Sequence, residues 1–288
     1  MKELKGRVAV VTGGASGIGQ GMTRAFAAEG MKIVIADIEA GARDEAASEL
    51  ASEGAEVIAV ECDVSDRASV ESVREEALAA FGAVHVVCNN AGVAGGQPGP
   101  IWAAPQSDWD WVLGVNLMGV VYGVQTFAPL LIEQGEGGHI VNTASLAGLM
   151  EGAGIYGVSK QAVVGLTESL WRDLKATDSG VSASVLCPAW VRTRIMESER
   201  NRPEAPRADA EIPPDAQALR DVVRGLIEKD GLDPVQVGRQ VAQSIKDDTF
   251  YILTHPGWNN IIRNRMENIL SASDPVTVPP EGGDLPIR

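Results

Sequence analysis

In the stretch Tyr156-Gly157-Val158-Ser159-Lys160 a phenol and an ammonium stand four residues apart. On a helix such residues lie one above the other, and a fixed ammonium beneath a phenol favours its ionised form. A free tyrosine titrates near ~10, too high for a base at neutral pH, so a neighbouring cation is one way of lowering it. Surface helices give this spacing by chance, and the pair acquires meaning only through its surroundings. Two further polar residues stand where a polar side chain needs a reason. Asn116 lies inside a long amphipathic stretch, where its amide competes with the backbone and, if buried, must find partners. Ser145 lies just past the apolar run 139–143.

These side chains need a scaffold, and the chain supplies alternating apolar runs and amphipathic stretches. Residues 7–12 form a short β-branched run, a strand by length and composition. It leads into Gly13-Gly14-Ala15-Ser16-Gly17-Ile18-Gly19 and a helical stretch over 20–29. Glycines between a strand and a helix permit a tight turn and let a diphosphate approach the helix N-terminus. The next strand, 32–36, ends in Asp37, whose carboxylate can accept both hydroxyls of an adenosine ribose. It would repel a 2′-phosphate, which favours NAD over NADP; a helix-capping aspartate is the bland alternative.

A helix over 39–52 and a strand over 56–61 follow, then Cys62-Asp63-Val64. Asp63 could accept an adenine amino group while the Val64 backbone takes a ring nitrogen. Ser65-Asp66 opens another helix. Strand 84–88 runs into Asn89-Asn90-Ala91-Gly92, whose amides could tie the sheet and whose glycine lets a cofactor lie close; a simple turn is the alternative. Residues 95–105 are a Gly- and Pro-rich loop, and 108–131 a long helix carrying Asn116. Strand 139–143, loop 146–154, a second long helix from Tyr156 to about residue 176 and strand 181–186 complete the alternation. This is the pattern of an α/β fold, a doubly wound parallel sheet flanked by helices (a Rossmann fold). In such sheets ligands bind beyond the carboxyl ends of the strands, and every motif above falls on that edge.

Residues 195–214 are charged and bear prolines, a lid or a solvated excursion. A C-terminal helical extension follows, with helices over 214–229 and 234–246, a short strand over 250–253 and a helix over 258–270. The expected organisation is one Rossmann-type domain over 1–270, with 195–230 a mobile substrate-loop region, and an extended tail over 271–288.

Composition sets the outer bounds. The chain has 288 residues, 45% hydrophobic and 22% charged, with a formal net charge of −15. Such a surface repels phosphate backbones and excludes non-specific nucleic-acid binding. Cys62, Cys88 and Cys187 are scattered at the ends of apolar runs, and His85, His139 and His255 are equally dispersed, so no metal site is expected. No signal region is evident and no consecutive apolar run approaches the ~18 residues that span a bilayer. A cytoplasmic protein without membrane partners is expected.

Taken together, T-G-G-A-S-G-I-G, Asp63, N-N-A-G, Asn116, Ser145 and Y-G-V-S-K resemble, in order, the short-chain dehydrogenase/reductase family over about residues 5–195. The resemblance implies a catalytic group of Asn116, Ser145, Tyr156 and Lys160. It implies NAD(P) across the strand ends, held by Gly13, Ser16, Gly17, Ile18, Gly19, Asp37, Asp63, Val64, Asn90, Ala91, Gly92, Tyr156, Lys160, Pro188, Val191 and Thr193, with Thr193 near the carboxamide. It also implies a homodimer or homotetramer built on the long helices. Two departures stand out. The Ser145-to-Tyr156 gap of eleven residues is shorter than usual, altering one wall of the pocket, and Ala189 replaces a common glycine. The segment F-Y-I-L-T-H-P-G-W at the C-terminal side is similar to a branch acting on bulky secondary alcohols and aryl ketones.

In the implied oxidation, ionised Tyr156 takes the hydroxyl proton as the nicotinamide takes hydride. Lys160 lowers the tyrosine pKa and holds the ribose, Ser145 donates to the substrate oxygen, and Asn116 anchors a relay water. Met150, Trp190 and Met196, with Ser145 and Tyr156, are the pocket candidates, with Ile195, Val93 and Gly95 beside them; their apolar character favours a hydrophobic or aromatic alcohol or ketone. The competing readings are an NADP-dependent ketone reductase and a non-catalytic dinucleotide sensor.

Overall fold

The computed structural model describes residues 1–95, 99–203 and 214–281, the stretch 214–220 as backbone only. The apolar runs become β1 (Val8–Thr12), β2 (Lys32–Asp37), β3 (Val57–Glu61), β4 (Val86–Asn89), β5 (Gly138–Thr143), β6 (Val181–Cys187) and β7 (Tyr251–Leu253). All pair in parallel in one seven-stranded sheet, ordered β3-β2-β1-β4-β5-β6-β7. β1, β5 and β6 are buried along their whole length, which is why they read as continuous apolar runs rather than alternating ones. The order reverses between β1 and β4, so the switch point opens between their carboxyl ends, where Gly13 and Asn90 lie.

Helices cover both faces: α1 (Gly17–Ala28), α2 (Ala40–Ser52), α3 (Arg67–Phe81), α4 (Gln106–Leu113), α5 (Gly119–Gln134), α6 (Gly154–Thr177), α7 (Pro214–Asp230), α8 (Pro234–Asp247) and α9 (Asn259–Leu270). α3 and α8 start where their sequences say. Asp66 accepts from Ala68 N at 3.1 Å, and Asp233 accepts from Val235 N at 2.8 Å ahead of Pro234. α1 and α8 meet backbone to backbone: a Cβ on Gly21 would lie 2.0 Å from Pro234 O, and one on Gly238 2.1 Å from Gly21 O.

The expected single helix over 108–131 is interrupted. α4 and α5 are joined by a π-helical turn, Gly114–Met118, with Asn116 inside it. Hydrophobic periodicity passes through such a turn almost unchanged, so the sequence could not mark it. The combined stretch Gln106–Gln134 is, contrary to expectation, long and apolar enough by composition to cross a membrane. Here its apolar face serves the core, with Val112, Val120, Phe127 and Leu131 buried.

The segment after residue 194 differs from a bare excursion. Ile195–Asn201 is a 3-10 helix, its charges paired as Arg194–Glu197 and Arg200–Glu39. Residues 204–213 of the expected substrate-loop region lie outside the described residues. Among the described residues the tail, 271–281, has no helix or strand but is tied along α9. Asn260 donates to Pro279 O at 2.7 Å, Asn264 and Asn268 donate to Val276 O at 2.6 and 3.2 Å, and Glu281 N donates to Gly257 O at 3.1 Å.

One buried base gives the fold a pH signature. His139 on β5 is fully buried; its Nε2 lies 2.6 Å from Ser184 Oγ, which itself donates to Thr249 O at 2.7 Å. Burial holds its pKa at about 4 instead of 6.5, and Nδ1 has no partner, as suits a neutral ring. Above pH 6.5 both folded and unfolded states carry the neutral form. As pH falls from 6.5 towards 4 only the unfolded chain gains the proton, so stability drops by up to about 3 kcal/mol. Urea unfolding at pH 7.5 and 4.5 should show this loss, and a His139→Gln variant should lose less than the parent over the same interval.

Candidate active site

The catalytic candidates converge above β5 and β6. Lys160, buried on α6, donates from Nζ to Thr143 O at 2.9 Å at the end of β5, and Nζ lies 5.6 Å from the Tyr156 ring centroid. Ser145 Oγ donates to Pro188 O at 3.3 Å and accepts from Ala147 N at 3.2 Å, and its hydroxyl acts to lower the Tyr156 pKa. The short loop between them enters α6 through three successive left-handed residues, Gly152 (φ 84°), Ala153 (φ 62°) and Gly154 (φ 54°). This is how a shortened wall still delivers Tyr156 to Ser145.

Asn116 is fully buried. Oδ1 accepts from Val93 N at 2.8 Å, while Nδ2 donates to Val93 O at 2.9 Å and Ser159 Oγ at 3.1 Å. Its side chain thus joins the strand-four loop to α6. A Cβ on Gly92 would stand 3.3 Å from both Asn116 Oδ1 and Lys160 Nζ, so the glycine leaves the gap between them open.

The expected lowering of the Tyr156 pKa by Lys160 is not what the geometry gives. Burial pushes the phenol above its ordinary value, and only the Ser145 hydrogen bond opposes it. Burial also lowers Lys160 to about 8. The ammonium points at the Thr143 carbonyl and lies over the ring, and desolvation outweighs attraction for both groups.

The dinucleotide candidates line the neighbouring edge. Gly13 (φ 61°) and Gly17 (φ 52°) use left-handed conformations, and a Cβ on Gly19 would lie 2.0 Å from Gly13 O, so the turn admits no side chain there. Ser16 caps α1 without a side-chain bond of its own, leaving its hydroxyl and the first amides of the helix for an anion. Ile18 packs against the core beneath. Asp37 is buried and accepts from Ala15 N and Glu39 N, each at 3.0 Å, which fixes the carboxylate at the end of β2. Asp63 Oδ1 accepts from Ser65 N and Oγ at 2.9 and 2.7 Å, and Val64 is buried against Gly119. Thr193 sits against Gly17, a Cβ there falling 2.9 Å from its methyl. Val191 bridges to Leu232. These glycines, the unspent hydroxyl and the fixed carboxylate fit a dinucleotide.

Several supporting residues escaped the sequence reading. Thr12 Oγ1 accepts from Asn90 N and Ala91 N at 2.9 and 3.2 Å; Asn90 Nδ2 donates to Thr12 O at 3.0 Å, and its Oδ1 accepts from Thr143 Oγ1 at 3.2 Å. A second chain runs Asn89 to Asn142 to Thr167 at 2.8 and 3.0 Å. A polar residue closing an apolar strand is the signal that marks Thr12, Asn142 and Thr143. Of the pocket candidates, Trp190 stacks edge-on with Trp258, which in turn meets His255, with centroids 5.9 and 6.2 Å apart. Trp258 and His255 are thereby drawn to the site. Met150 holds its carbonyl to Gln161 at 3.1 Å, and Met196 lies on the 3-10 helix; neither is brought against the catalytic hydroxyls by a described contact.

Comparisons with known proteins agree with this geometry. The family model described as short chain dehydrogenase matches residues 7–204. A crystal structure of a short chain dehydrogenase/reductase from Burkholderia phymatum in complex with NAD has a TM-score of 0.92 and 43% identity, covering 96% of this chain and 99% of that one. A CLA biosynthesis dehydrogenase/reductase of Lactiplantibacillus plantarum is 34% identical over 96% of this chain and 97% of its own. A C alpha-dehydrogenase of Sphingobium sp. is 33% identical over 98% and 91%. The chain belongs to the short-chain dehydrogenase/reductase family of NAD(P)-dependent oxidoreductases.

Proposed function

We propose that the protein interconverts a hydrophobic, bulky or aromatic secondary alcohol and its ketone with NAD, Tyr156 carrying the proton. Buried Lys160, held by Thr143 at the strand edge that bears Ser145 and lying 5.6 Å from the Tyr156 ring centroid, is the observation that carries this reading. The bound cofactor supplies a hydride acceptor or donor at the nicotinamide ring. Everything else falls to the chain's own groups. Ser145, whose contact to Pro188 O is long at 3.3 Å, turns its proton to the substrate oxygen, where charge develops. Tyr156 takes the alcohol proton in oxidation and returns it in reduction. Lys160, held by Thr143, presents a positive charge to the cofactor ribose, and Asn116 holds Val93 and α6 in register around them.

The Trp190–Trp258–His255 cluster supports an aromatic or bulky substrate. A panel of aryl and aliphatic secondary alcohols with NAD, read by NADH absorbance, tests the reading. Turnover confined to small or charged substrates would overturn the substrate class.

Asp37 decides between the cofactors. Its two backbone hydrogen bonds fix it in place, and a charged hydrogen bond to a ribose hydroxyl is worth about 1.5–3 kcal/mol. Asp37→Ala should therefore lower kcat/KM for NAD by about 10- to 100-fold and narrow the gap to NADP. A parent enzyme that prefers NADP would reverse the assignment. We also read the protein as a cytoplasmic homodimer or homotetramer, supported by exposed Val158 and Trp171 on the long helix α6; light scattering measures the assembly.

A further inference from the structure

We propose that Glu39 is a positioning residue which, through Arg200 and Asn201, latches the segment from Thr193 to Asn201 across the cofactor cleft and so sets how long the dinucleotide stays bound. The proposal rests on the cofactor site described above. Its first support is topological. Glu39 follows β2, whereas the segment leaves β6, and β1, β4 and β5 lie between these strands in the sheet. A contact between the two ends therefore spans the carboxyl edge of the strands between, over the glycine turn. Thr193, resting against Gly17, shows the crossing at its midpoint.

The second support is the use to which each group is put. Glu39 Oε1 accepts from Arg200 Nε at 3.0 Å, Arg200 Nη2 at 2.6 Å and Asn201 Nδ2 at 2.9 Å. As the N-cap residue of α2, Glu39 makes no side-chain cap bond, so every described hydrogen bond of its carboxylate goes to the segment. Arg200 Nη1 also donates to the carbonyls of Arg194 and Glu197 at 3.2 and 3.0 Å, which closes the 3-10 helix on itself. The Glu39 amide meanwhile donates to Asp37 Oδ1 at 3.0 Å, so the latch grips the turn that holds the proposed ribose ligand.

The remaining anchors show which end can open. At the base, Arg192 N donates to Leu232 O at 3.0 Å and Leu232 N to Trp190 O at 2.9 Å. On the substrate side, buried Ser198 accepts from Ala94 N at 3.0 Å, and Arg202 pairs with buried Asp108 at 2.7 Å while stacking over Trp111 at 5.0 Å. The Arg202 and Asp108 side chains are 14% and 4% exposed, against 26% and 24% for Arg200 and Glu39. The latch over the cofactor side is thus the wetter, weaker contact, and it is the one that yields when the dinucleotide leaves.

Stopped-flow release of NADH from the parent, Glu39→Ala, Arg200→Ala, the double variant and the conservative Glu39→Gln tests this. Each single variant should release NADH about three- to tenfold faster, as fits a partly exposed ion-pair network. The double variant should be no faster than either single one, and Glu39→Gln, whose amide oxygen still accepts from Arg200 and Asn201, should release NADH more slowly than Glu39→Ala. High salt should speed release from the parent and leave the variants nearly unchanged. If Arg200→Ala releases at the parent rate while Glu39→Ala does not, Glu39 touches the cofactor directly and the latch is wrong. Additive effects in the double variant, or release from Glu39→Gln as fast as from Glu39→Ala, also overturn it. A parent that binds no NADH overturns the cofactor reading itself, a result separate from any of these.

Discussion

Replacing Tyr156 with Phe is expected to cut turnover by about a thousandfold, the usual worth of a positioned proton-transfer group, with NADH binding close to the parent's. Phe keeps the ring over which Lys160 lies and removes only the phenolic hydroxyl. The pH profile carries the same assignment with a definite sign. Because burial raises the Tyr156 pKa, the phenol is the dominant form at neutral pH and the phenolate the minor one. Alcohol oxidation, which needs the phenolate, should accelerate as pH rises through the alkaline range. Ketone reduction, which needs the phenol, should hold at neutral pH and weaken in that range. Lys160, lowered to about 8, is charged below that pH and begins to lose its charge above it, so the oxidation profile should bend over rather than climb without limit. Turnover of the Phe variant within tenfold of the parent, or an oxidation rate independent of pH, would remove Tyr156 from the chemistry.

Gly19→Ala is the second change with a large expected effect, this time on cofactor binding. The added Cβ would lie 2.0 Å from Gly13 O and 2.7 Å from Asn90 Nδ2. One neighbour is backbone, and the other holds the Thr12 carbonyl at 3.0 Å, so neither can step aside cheaply. The turn must open, at a cost of about 3 kcal/mol, and the α1 amides swing away from the diphosphate position. NAD affinity should fall by on the order of tenfold or more, with a lower melting temperature. Gly41→Ala is the control, since a Cβ there meets nothing within 4 Å. Isothermal titration and thermal melts of the two variants measure the contrast, and equal behaviour would mean that the turn is not the cofactor cradle.

Local features carried the reading of the fold a long way. Apolar runs bounded by glycine and polar residues became parallel strands, the central ones burying both faces, and Asp66, Asp233 and Pro234 opened helices where their chemistry demands. The strand-end motifs were legible because one sheet edge collects them all. The π-helical turn at Asn116 was not, since it changes backbone hydrogen bonding without changing which residues are apolar. Nor was the tail's attachment, which depends on Asn260, Asn264 and Asn268 reaching carbonyls of a segment with no pattern of its own.

The amino-acid sequence by itself determined the family and the sheet, and it singled out the glycine turn and Asn116, Ser145, Tyr156 and Lys160 as candidates, because each depends on residue type and short spacing. Only the tertiary structure decided the state of those groups. Spacing alone suggested an ammonium that acidifies a phenol, yet desolvation, which depends on everything packed around the pair, raises the phenol and lowers the ammonium. The same holds for Glu39 and Arg200, ordinary surface charges in sequence, 161 residues apart, that meet only because the sheet order brings the loops after β2 and β6 to one edge.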